Sequence, residues 1–252
     1  MTARLPVEET LRFLERHLPL APSRVLEVGC GNGEVATALA ARDYEVTGLD
    51  AALAVSATPA PTPATAMASD ARAIRWVEAD FLFYEEDAPY DAVLFTRSLH
   101  HMAPVAKALN RAAALLRPGG RFLAEEFAFD RVNIQTARWY YDLEAVLASA
   151  GLIPSPDPAL REVRNPLGRW RQEHAADPPL QSGHSMLAAA RERFDLGPAE
   201  EAPYLYRSFA DRMEPGDRSD RVAREIFEIE SRMIRERDLT AAGLRLAGTL
   251  LG

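Results

Sequence analysis

The sequence predicts an α/β protein built on a doubly wound, mostly parallel sheet with helices on both faces. Short apolar runs alternate with amphipathic stretches from residue 24 to residue 127, which is the pattern of parallel strands joined by crossover helices. The chain has 252 residues, of which 48% are hydrophobic and 26% are charged, so it can bury one substantial core. After residue 127 the alternation stops, and we expect a partly helical cap over the open end of the sheet.

The first expected element is a helix over residues 6–18. Pro6 suits the first turn of a helix, and Leu11, Leu14 and Leu18 fall on one face. Buried parallel strands appear as short apolar runs bounded by turn residues, and five such runs follow. They are Arg24–Val28, Tyr44–Leu49, Ile74–Glu78, Ala92–Thr96 and Arg121–Phe127.

The connections between these strands differ in their helical signal. Before the fifth strand we expect a helix that ends at the turn Pro118-Gly119-Gly120. Its apolar face consists of Val105, Leu109, Ala112, Ala113 and Leu116. Residues 52–73 carry three prolines among Ala and Thr, so the sequence predicts an extended loop there instead of a full helix.

The rest of the chain is expected to form the cap and to complete the sheet. Residues 136–150 are predicted to be helical, whereas residues 154–217 have weak periodicity. A charged helix follows over residues 218–237, and a last strand over Gly243–Leu250. The side of that helix predicted to be buried carries Val222, Ile226, Ile229 and Met233.

We therefore predict one domain over residues 1–252. Its predicted units are a core at 1–130, a cap at 131–217, and a C-terminal helix and strand at 218–252.

Charge and cysteine content exclude several classes of function. The net charge is −8 and no run of Lys or Arg is present, so we expect no nucleic-acid partner. Cys30 is the single cysteine, which rules out an intrachain disulfide and a thiolate metal cluster. The sequence shows neither a signal-peptide pattern nor an apolar stretch of about 18 residues, which predicts a cytoplasmic protein without membrane contact. No feature of the sequence indicates an oligomeric state.

The most informative segment is the glycine-rich turn after the first expected strand. Glu27 is followed by Gly29, Gly31 and Gly33 at alternate positions, and good helix formers come next. Glycine lets the backbone turn sharply and approach a ligand where any side chain would occupy the space. The segment therefore predicts a nucleotide-type binding site.

The spacing of the glycines and the nearby acids indicates which nucleotide. A dinucleotide site has the pattern G-x-G-x-x-G with a pyrophosphate over the helix N-terminus, but here the third glycine comes one residue early and position 34 is Glu. An anionic pyrophosphate would meet this carboxylate and that of Glu27. S-adenosylmethionine carries a sulfonium and an ammonium group and no phosphate, so it avoids this repulsion.

Four further segments occur in a fixed order with the glycine turn. They are Asp50 after the second strand, Ala79-Asp80-Phe81 after the third, Thr96-Arg97 after the fourth, and Leu116-Arg117-Pro118-Gly119-Gly120-Arg121 before the fifth. With them, residues 24–127 resemble the class I S-adenosylmethionine-dependent methyltransferases. The resemblance implies a Rossmann-like, seven-stranded sheet, S-adenosylmethionine as cofactor and S-adenosylhomocysteine as product.

The same resemblance implies a role for each matching residue. The amino-acid part of the cofactor would lie over Glu27 and the turn that contains Gly29, Cys30, Gly31 and Gly33. Asp50, with Ala51 beside it, would bind the ribose hydroxyls, Asp80 the adenine amino group, and Phe81 the face of the ring. Thr96 and Arg97 would line the methionine end. A lone Asp after a strand is also a common helix cap, and Cys30 is most simply a small buried residue.

Two histidines follow the fourth strand, at the edge where substrates approach in such folds. We predict that His101 acts as a base or orients the acceptor, and that His100 contacts the acceptor. The alternative is that His101 caps a helix or packs against the loop. We expect no metal, because the histidine spacings follow no ligand pattern.

The cap carries a second cluster of polar and aromatic residues. Trp170, His174, His184, Tyr204 and Tyr206 resemble a pattern found in a subset of bacterial small-molecule methyltransferases. We predict that they select the acceptor. The alternative is that they dock the cap onto the sheet.

Together these features predict transfer of a methyl group from S-adenosylmethionine to an oxygen, nitrogen or carbon nucleophile of a small molecule by in-line displacement. Two alternatives stay open: an NAD-dependent Rossmann-like oxidoreductase, and a non-catalytic scaffold that keeps the cofactor site. The sequence does not identify the acceptor, since lids and loops make that choice.

Overall fold

The protein is described by a computed structural model that covers residues 4–54, 73–155, 157, 165–175 and 179–251. The strands are β1 (Arg24–Val28), β2 (Glu45–Asp50), β3 (Arg75–Glu78), β4 (Tyr90–Thr96), β5 (Leu116–Phe127), β6 (Phe194–Leu196), β7 (Glu200–Ala202) and β8 (Gly243–Leu250). The helices are α1 (Leu5–His17), α2 (Glu34–Ala40), α3 (Val105–Leu115), α4 (Ile134–Ser149), α5 (Pro166–Glu173), α6 (Gly183–Arg191), α7 (Leu205–Ala210) and α8 (Asp217–Arg235). Almost all of the predicted loop at 52–73 lies outside the described residues.

All strands described belong to one sheet. Its path is β3-β2-β1-β4-β5-β8-β6, and β7 pairs with β8 off this path. Strands β1 to β5 are parallel, whereas β8 is antiparallel to β5, β6 and β7. The mostly parallel sheet predicted from the sequence is therefore confirmed, and β7 adds a short strand to the seven of the path.

The segment predicted as the cap also supplies β6 and β7 to the sheet. Each strand has only three residues, too few to show the alternation by which a strand is recognised.

Alternating side chains of each central strand face opposite layers. On β4, Ala92 and Leu94 pack with α1 and α2, whereas Val93 and Phe95 pack with α3 and α6. A third cluster joins α4, α5, α7 and α8 around Trp170, Tyr206 and Phe209. The helices thus cover both faces of the sheet, and the third cluster forms the body of the cap.

The predicted buried face of the last helix is wrong at one residue. On α8, Ile229 is 38% exposed, whereas the next residue, Glu230, is 1% exposed. Glu230 is buried because it accepts hydrogen bonds from the backbone N–H groups that begin α7. The buried side of α8 therefore runs through Ala223, Ile226 and Glu230.

The strand order places a crevice at the carboxyl ends of β1 and β4. The chain leaves β1 toward β2 and β3 on one side and returns through β4 and β5 on the other. Ligands of open α/β sheets bind at such a switch point, outside the carboxyl ends of the strands. In the described part of the chain, no helix is long and apolar enough to cross a membrane.

Candidate functional site

Two cavities open at this switch point. The first, about 430 Å³, includes Asp50, Asp80 and Phe81 in its wall. The second, about 450 Å³, includes Glu27, Thr96, Gly31, His100 and Tyr204. Gly29, Arg97 and His101 line both cavities. A ligand that fills the first cavity and reaches Glu27 therefore passes these three residues.

The glycine turn has the backbone geometry that its sequence predicts. Gly29, Gly31 and Gly33 have φ angles of 71°, 54° and 76°, in the region that glycine adopts without strain. A Cβ atom on Gly29 would lie 2.4 Å from Cβ of Ser98, whereas one on Gly31 would meet no atom within 4 Å. Gly29 is therefore needed for packing within the protein, and Gly31 leaves open space in the second cavity.

Glu27 places a buried carboxylate at the second cavity. Its side chain is 1% exposed, and the Thr96 hydroxyl donates to Oε1 over 2.6 Å. The other oxygen, Oε2, has no hydrogen-bond partner in the described part of the chain. Burial raises the pKa of Glu27 to about 7, although the Thr96 hydrogen bond opposes the shift. A cationic N–H donor in the cavity would satisfy Oε2 and favour the charged carboxylate.

The two aspartates of the first cavity have hydrogen bonds within the chain. Asp50 Oδ2 accepts from the Gly31 N–H over 2.8 Å, which ties the end of β2 to the glycine turn. Asp80 Oδ1 accepts from the Leu82 N–H over 2.9 Å and so caps the short helix Phe81–Phe83. Each carboxylate has a further oxygen or lone pair for a ligand.

Phe81 packs edge-on against Phe95, with ring centroids 5.5 Å apart. It is only 4% exposed and still lines the first cavity.

Ala51 lines the same cavity, and Cys30, at 6% exposure, lines the second. Burial raises the pKa of the Cys30 thiol to about 12, so it stays protonated and unreactive.

Arg97 adopts a backbone conformation that is rare outside glycine. Its φ is 69°, and its N–H donates to the Glu125 carbonyl over 2.8 Å. The guanidinium Nη1 lies 3.7 Å from Asp211 Oδ2, a long contact at the surface of the cap. Strained residues of this kind concentrate at functional sites, where the surrounding structure holds them.

The two adjacent histidines form one wall of the second cavity. Their rings lie 4.1 Å apart, in the short helix Leu99–His101. His100 is 5% exposed, and its Nδ1 lies 2.6 Å from Oε2 of Glu126, which is fully buried. Partial desolvation lowers the pKa of His101, and His100 lowers it further, so His101 is neutral at physiological pH. In the described part of the chain, no three His, Cys, Asp or Glu side chains gather as metal ligands.

The structure brings only part of the predicted cap cluster to the cavities. Tyr204 lines the second cavity and stacks on Phe127, with centroids 4.7 Å apart. His174 stacks on Trp170 at 4.0 Å, and both rings contact Phe127 from the side of the cap. Trp170 and His174 therefore pack against Phe127, on which Tyr204 stacks, and they line neither cavity.

Two predicted acceptor residues lie away from the site. Tyr206 is fully buried and packs on Phe227 at 5.0 Å, inside the cap. His184 is exposed near the start of α6, where Asp130 holds the Gly183 N–H. Both positions follow from packing: the face of α7 that carries Tyr206 points into the cap, and α6 buries Met186 and Ala190 instead.

Sequence reasoning missed four residues of the site. Ser98 fixes the glycine turn, since its hydroxyl donates to the Val28 carbonyl. Glu126 holds His100, and Arg4 and Asp211 line the second cavity. The pair Glu125-Glu126 inside an apolar strand carried a usable signal, because buried acids require partners. No such signal marks the other three.

Comparison with known proteins agrees with this geometry. A family model described as a methyltransferase domain matches residues 2–157, more than half of the chain. An uncharacterized methyltransferase of Mycobacterium tuberculosis is 30% identical over 184 residues, which cover 71% of this chain and 81% of that protein. The 27-O-demethylrifamycin SV methyltransferase of Amycolatopsis mediterranei is 37% identical over 125 residues, or 48% of this chain and 46% of that protein.

Among solved structures, geranyl diphosphate C-methyltransferase from Streptomyces coelicolor A3(2), in complex with S-adenosyl-L-homocysteine, is similar with a TM-score of 0.56. The sequence identity is 13%, and the match covers 97% of this chain and 76% of that one. At this identity the similarity shows the fold alone. The family model and the mycobacterial relative also show the family. The chain belongs to the class I S-adenosylmethionine-dependent methyltransferases.

Proposed function

We propose that the protein transfers a methyl group from S-adenosylmethionine to an oxygen, nitrogen or carbon nucleophile of a small molecule. The observation that carries this proposal is the buried Glu27 carboxylate, which lines the second cavity beside the glycine turn and whose Oε2 has no hydrogen-bond partner among the described residues. The cofactor's ammonium group is a donor of the charge and hydrogen-bonding type that this oxygen requires.

The remaining cofactor contacts follow from the two cavities. Asp50 and Asp80 stand in the first cavity, where they can accept from the ribose hydroxyls and the adenine amino group, and Phe81 supplies an apolar wall. Gly31, where a Cβ would meet no atom within 4 Å, lets the backbone approach the ligand in the second cavity. When bound, the cofactor supplies a methyl group that its sulfonium makes electrophilic. Aligning the acceptor with that group is the main contribution of the chain.

The oxidoreductase alternative fits this site poorly. Glu34, the first residue of α2, lines the second cavity, and Asp50 already accepts the Gly31 N–H. A pyrophosphate over this helix N-terminus would meet both carboxylates.

We propose that the acceptor occupies the part of the second cavity bounded by Arg97, His100, His101 and Tyr204. These side chains offer hydrogen-bond donors, two imidazole rings and one aromatic face, which suits a small polar or aromatic molecule. The rifamycin and geranyl diphosphate methyltransferases are also named for small-molecule acceptors. His101, which the sequence predicts as a base or an orienting group, is neutral because its pKa is lowered, and it can accept the proton of a hydroxyl acceptor.

The proposal is tested by calorimetric titration with S-adenosylmethionine and S-adenosylhomocysteine. We expect micromolar binding of both, and we expect Glu27→Gln to weaken it at least about tenfold through loss of the charged pair. His184→Asn, a change on the exposed start of α6, should bind as the wild type does. A folded protein that gives no heat with either ligand contradicts the proposal. Transfer of tritium from methyl-labelled cofactor to catechol, benzyl alcohol or benzylamine then tests the reaction itself.

A further inference from the structure

Glu126 is a buried acid that contacts His100, one of the residues that bound the proposed acceptor site. It is fully buried in β5, and its Oε1 accepts from the N–H groups of Ser98 and Leu99 over 3.0 and 2.7 Å. Its Oε2 lies 2.6 Å from Nδ1 of His100 and also accepts from the backbone N–H of His100 over 3.4 Å. One carboxylate therefore holds both the backbone of the turn after β4 and the ring of its central residue.

This arrangement fixes which nitrogen of His100 carries the proton. Backbone N–H groups of Ser98, Leu99 and His100 point at the two oxygens of Glu126, so this carboxyl group is placed as an acceptor and Nδ1 of His100 as the donor to it. In the neutral ring, Nε2 then keeps its lone pair. Nε2 is the remaining polar atom of the ring, and that ring lines the second cavity.

The neighbouring His101 lacks such a partner. In the described part of the chain, no hydrogen bond fixes its ring nitrogens, and its only ring contact is with His100. Burial also lowers the pKa of His101, which weakens this ring as a proton acceptor. Carboxylate orientation of an imidazole is what general-base catalysis needs, because the base must present its lone pair in one direction.

We propose that His100 is the catalytic base for a hydroxyl acceptor, through Nε2, and that Glu126 is its positioning residue. This inference rests on the proposed function. The acceptor's O–H proton moves to Nε2, and the oxygen keeps the bonding pair, which forms the new bond to the methyl carbon. The pair of the broken carbon–sulfur bond stays on sulfur. The imidazolium is stabilised by Glu126 until it returns the proton to solvent.

Glu126→Gln tests the positioning role with the least change of shape. The amide oxygen can still accept from Ser98 and Leu99, whereas the amide NH₂ gives up the long bond from the His100 N–H and now faces Nδ1 of His100. Nδ1 must then accept, which moves the proton of the neutral ring to Nε2 and removes the lone pair from the cavity. A residue that only supported the fold would not reverse the tautomer.

The first measurement is a long-range ¹H–¹⁵N spectrum of protein labelled at its five histidines, with His100→Gln to assign the resonance. We expect the Nδ1–H tautomer of His100 in the wild type and the Nε2–H tautomer in Glu126→Gln. An Nε2–H tautomer in the wild type overturns the proposal without any assay of activity.

The second measurement is tritium transfer to catechol. Because general-base catalysis contributes roughly 10²–10⁴-fold, Glu126→Gln and His100→Gln should each lower kcat about 100-fold or more, with little change in the affinity for S-adenosylhomocysteine. His101→Asn should lower kcat less than either, and the remote His184→Asn should leave it unchanged. A wild-type rate no higher than that of Glu126→Gln, or a larger loss in His101→Asn, overturns the proposal. If calorimetric titration of the wild type with S-adenosylhomocysteine gives no heat of binding, the proposed function itself is contradicted.

Discussion

At the scale of single residues, Glu27 carries an energetic conflict that a ligand can relieve. Burial raises its pKa to about 7 from 4.5, so between these values the folded protein binds a proton that the unfolded chain does not. Its contribution to stability therefore falls as the pH rises through this window, by roughly 3 kcal/mol in total. A bound ammonium group would stabilise the charged form and reverse this loss.

This conflict predicts pH-dependent cofactor binding. At pH 6 only about a tenth of Glu27 would be ionised, so the Kd for S-adenosylhomocysteine should be about tenfold higher at pH 6 than at pH 8. Calorimetry in buffers of different ionisation enthalpy should show proton release near pH 6.5. Glu27→Gln should bind weakly at both pH values and release no proton. Equal wild-type affinity at the two pH values would mean that Glu27 does not meet the ligand's charge.

A second residue-scale prediction compares two glycines of the same turn. Gly29→Ala adds a left-handed alanine, at about 1–2 kcal/mol, and a Cβ atom that overlaps Ser98, at about 1–3 kcal/mol. Gly31→Ala adds only the cost of a left-handed alanine, because its Cβ would meet no atom within 4 Å. Urea unfolding should therefore show the larger loss for Gly29→Ala. Combining it with Ser98→Gly should recover the difference in a double-mutant cycle, and a purely additive result would contradict the steric cause.

At the scale of elements, α8 and α7 are joined through one buried side chain. Glu230 accepts from the N–H groups of Tyr204, Leu205 and Tyr206 over 2.8, 3.0 and 2.9 Å, and so satisfies the first donors of α7. Burial nevertheless raises the pKa of Glu230. The carboxylate therefore positions Tyr204, the cap residue whose ring lines the second cavity.

Glu230→Ala should leave these donors without partners and lower the free energy of unfolding by about 2–4 kcal/mol. Glu230→Gln should lower it less, because the amide oxygen still accepts. The matched control is Glu228→Ala on the exposed side of α8, with an expected change within about 0.5 kcal/mol. Urea unfolding followed by circular dichroism measures all three. Similar losses at positions 228 and 230 would exclude the proposed contact as their cause.

The sequence predicts the strand bounds better than it predicts the buried face of α8. The bounds of β1 and β8 are confirmed to the residue, since both are short apolar segments set off by turn residues. The predicted buried face of α8 is wrong at Ile229, because hydrophobic periodicity favours this apolar residue over the charged Glu230. A buried charge with backbone partners is not visible to hydrophobic periodicity, which counts apolar side chains alone.

At the scale of the whole molecule, the cofactor half of the site was more predictable than the acceptor half. Glu27, Asp50, Asp80 and Thr96 all reach the cavities, because strand ends of a parallel sheet converge on one edge. Cap residues have no such rule, since their position depends on how short helices pack over the sheet. Tyr204 reaches the cavity while Tyr206, two residues later, is buried inside the cap.

The cap, the first helix and the last strand are held to the sheet by one buried network. Glu125 on β5 accepts from Arg207 of α7 over 2.8 Å, from Arg245 of β8 over 2.7 Å, and from the Thr10 hydroxyl of α1. Burial alone would raise the pKa of Glu125, but the charges of Arg207 and Arg245 outweigh it, and the pKa is lowered. This carboxylate therefore adds stability above its unfolded pKa and loses it as the pH falls, opposite in sign to Glu27.

Glu125→Gln should destabilise the whole molecule, because it leaves the fully buried Arg207 without its carboxylate. The expected loss is about 3–5 kcal/mol at pH 7.5, and it should shrink at pH 3, below the unfolded pKa of 4.5, where the unfolded chain and then the folded carboxylate take up a proton. Glu201→Gln, whose carboxylate lies 3.6 Å from Arg131 and is 63% exposed, is the matched control and should change little at either pH. Urea midpoints at the two pH values measure the effect. A loss that stays constant between them would mean that shape, not the charge of Glu125, holds these four elements together.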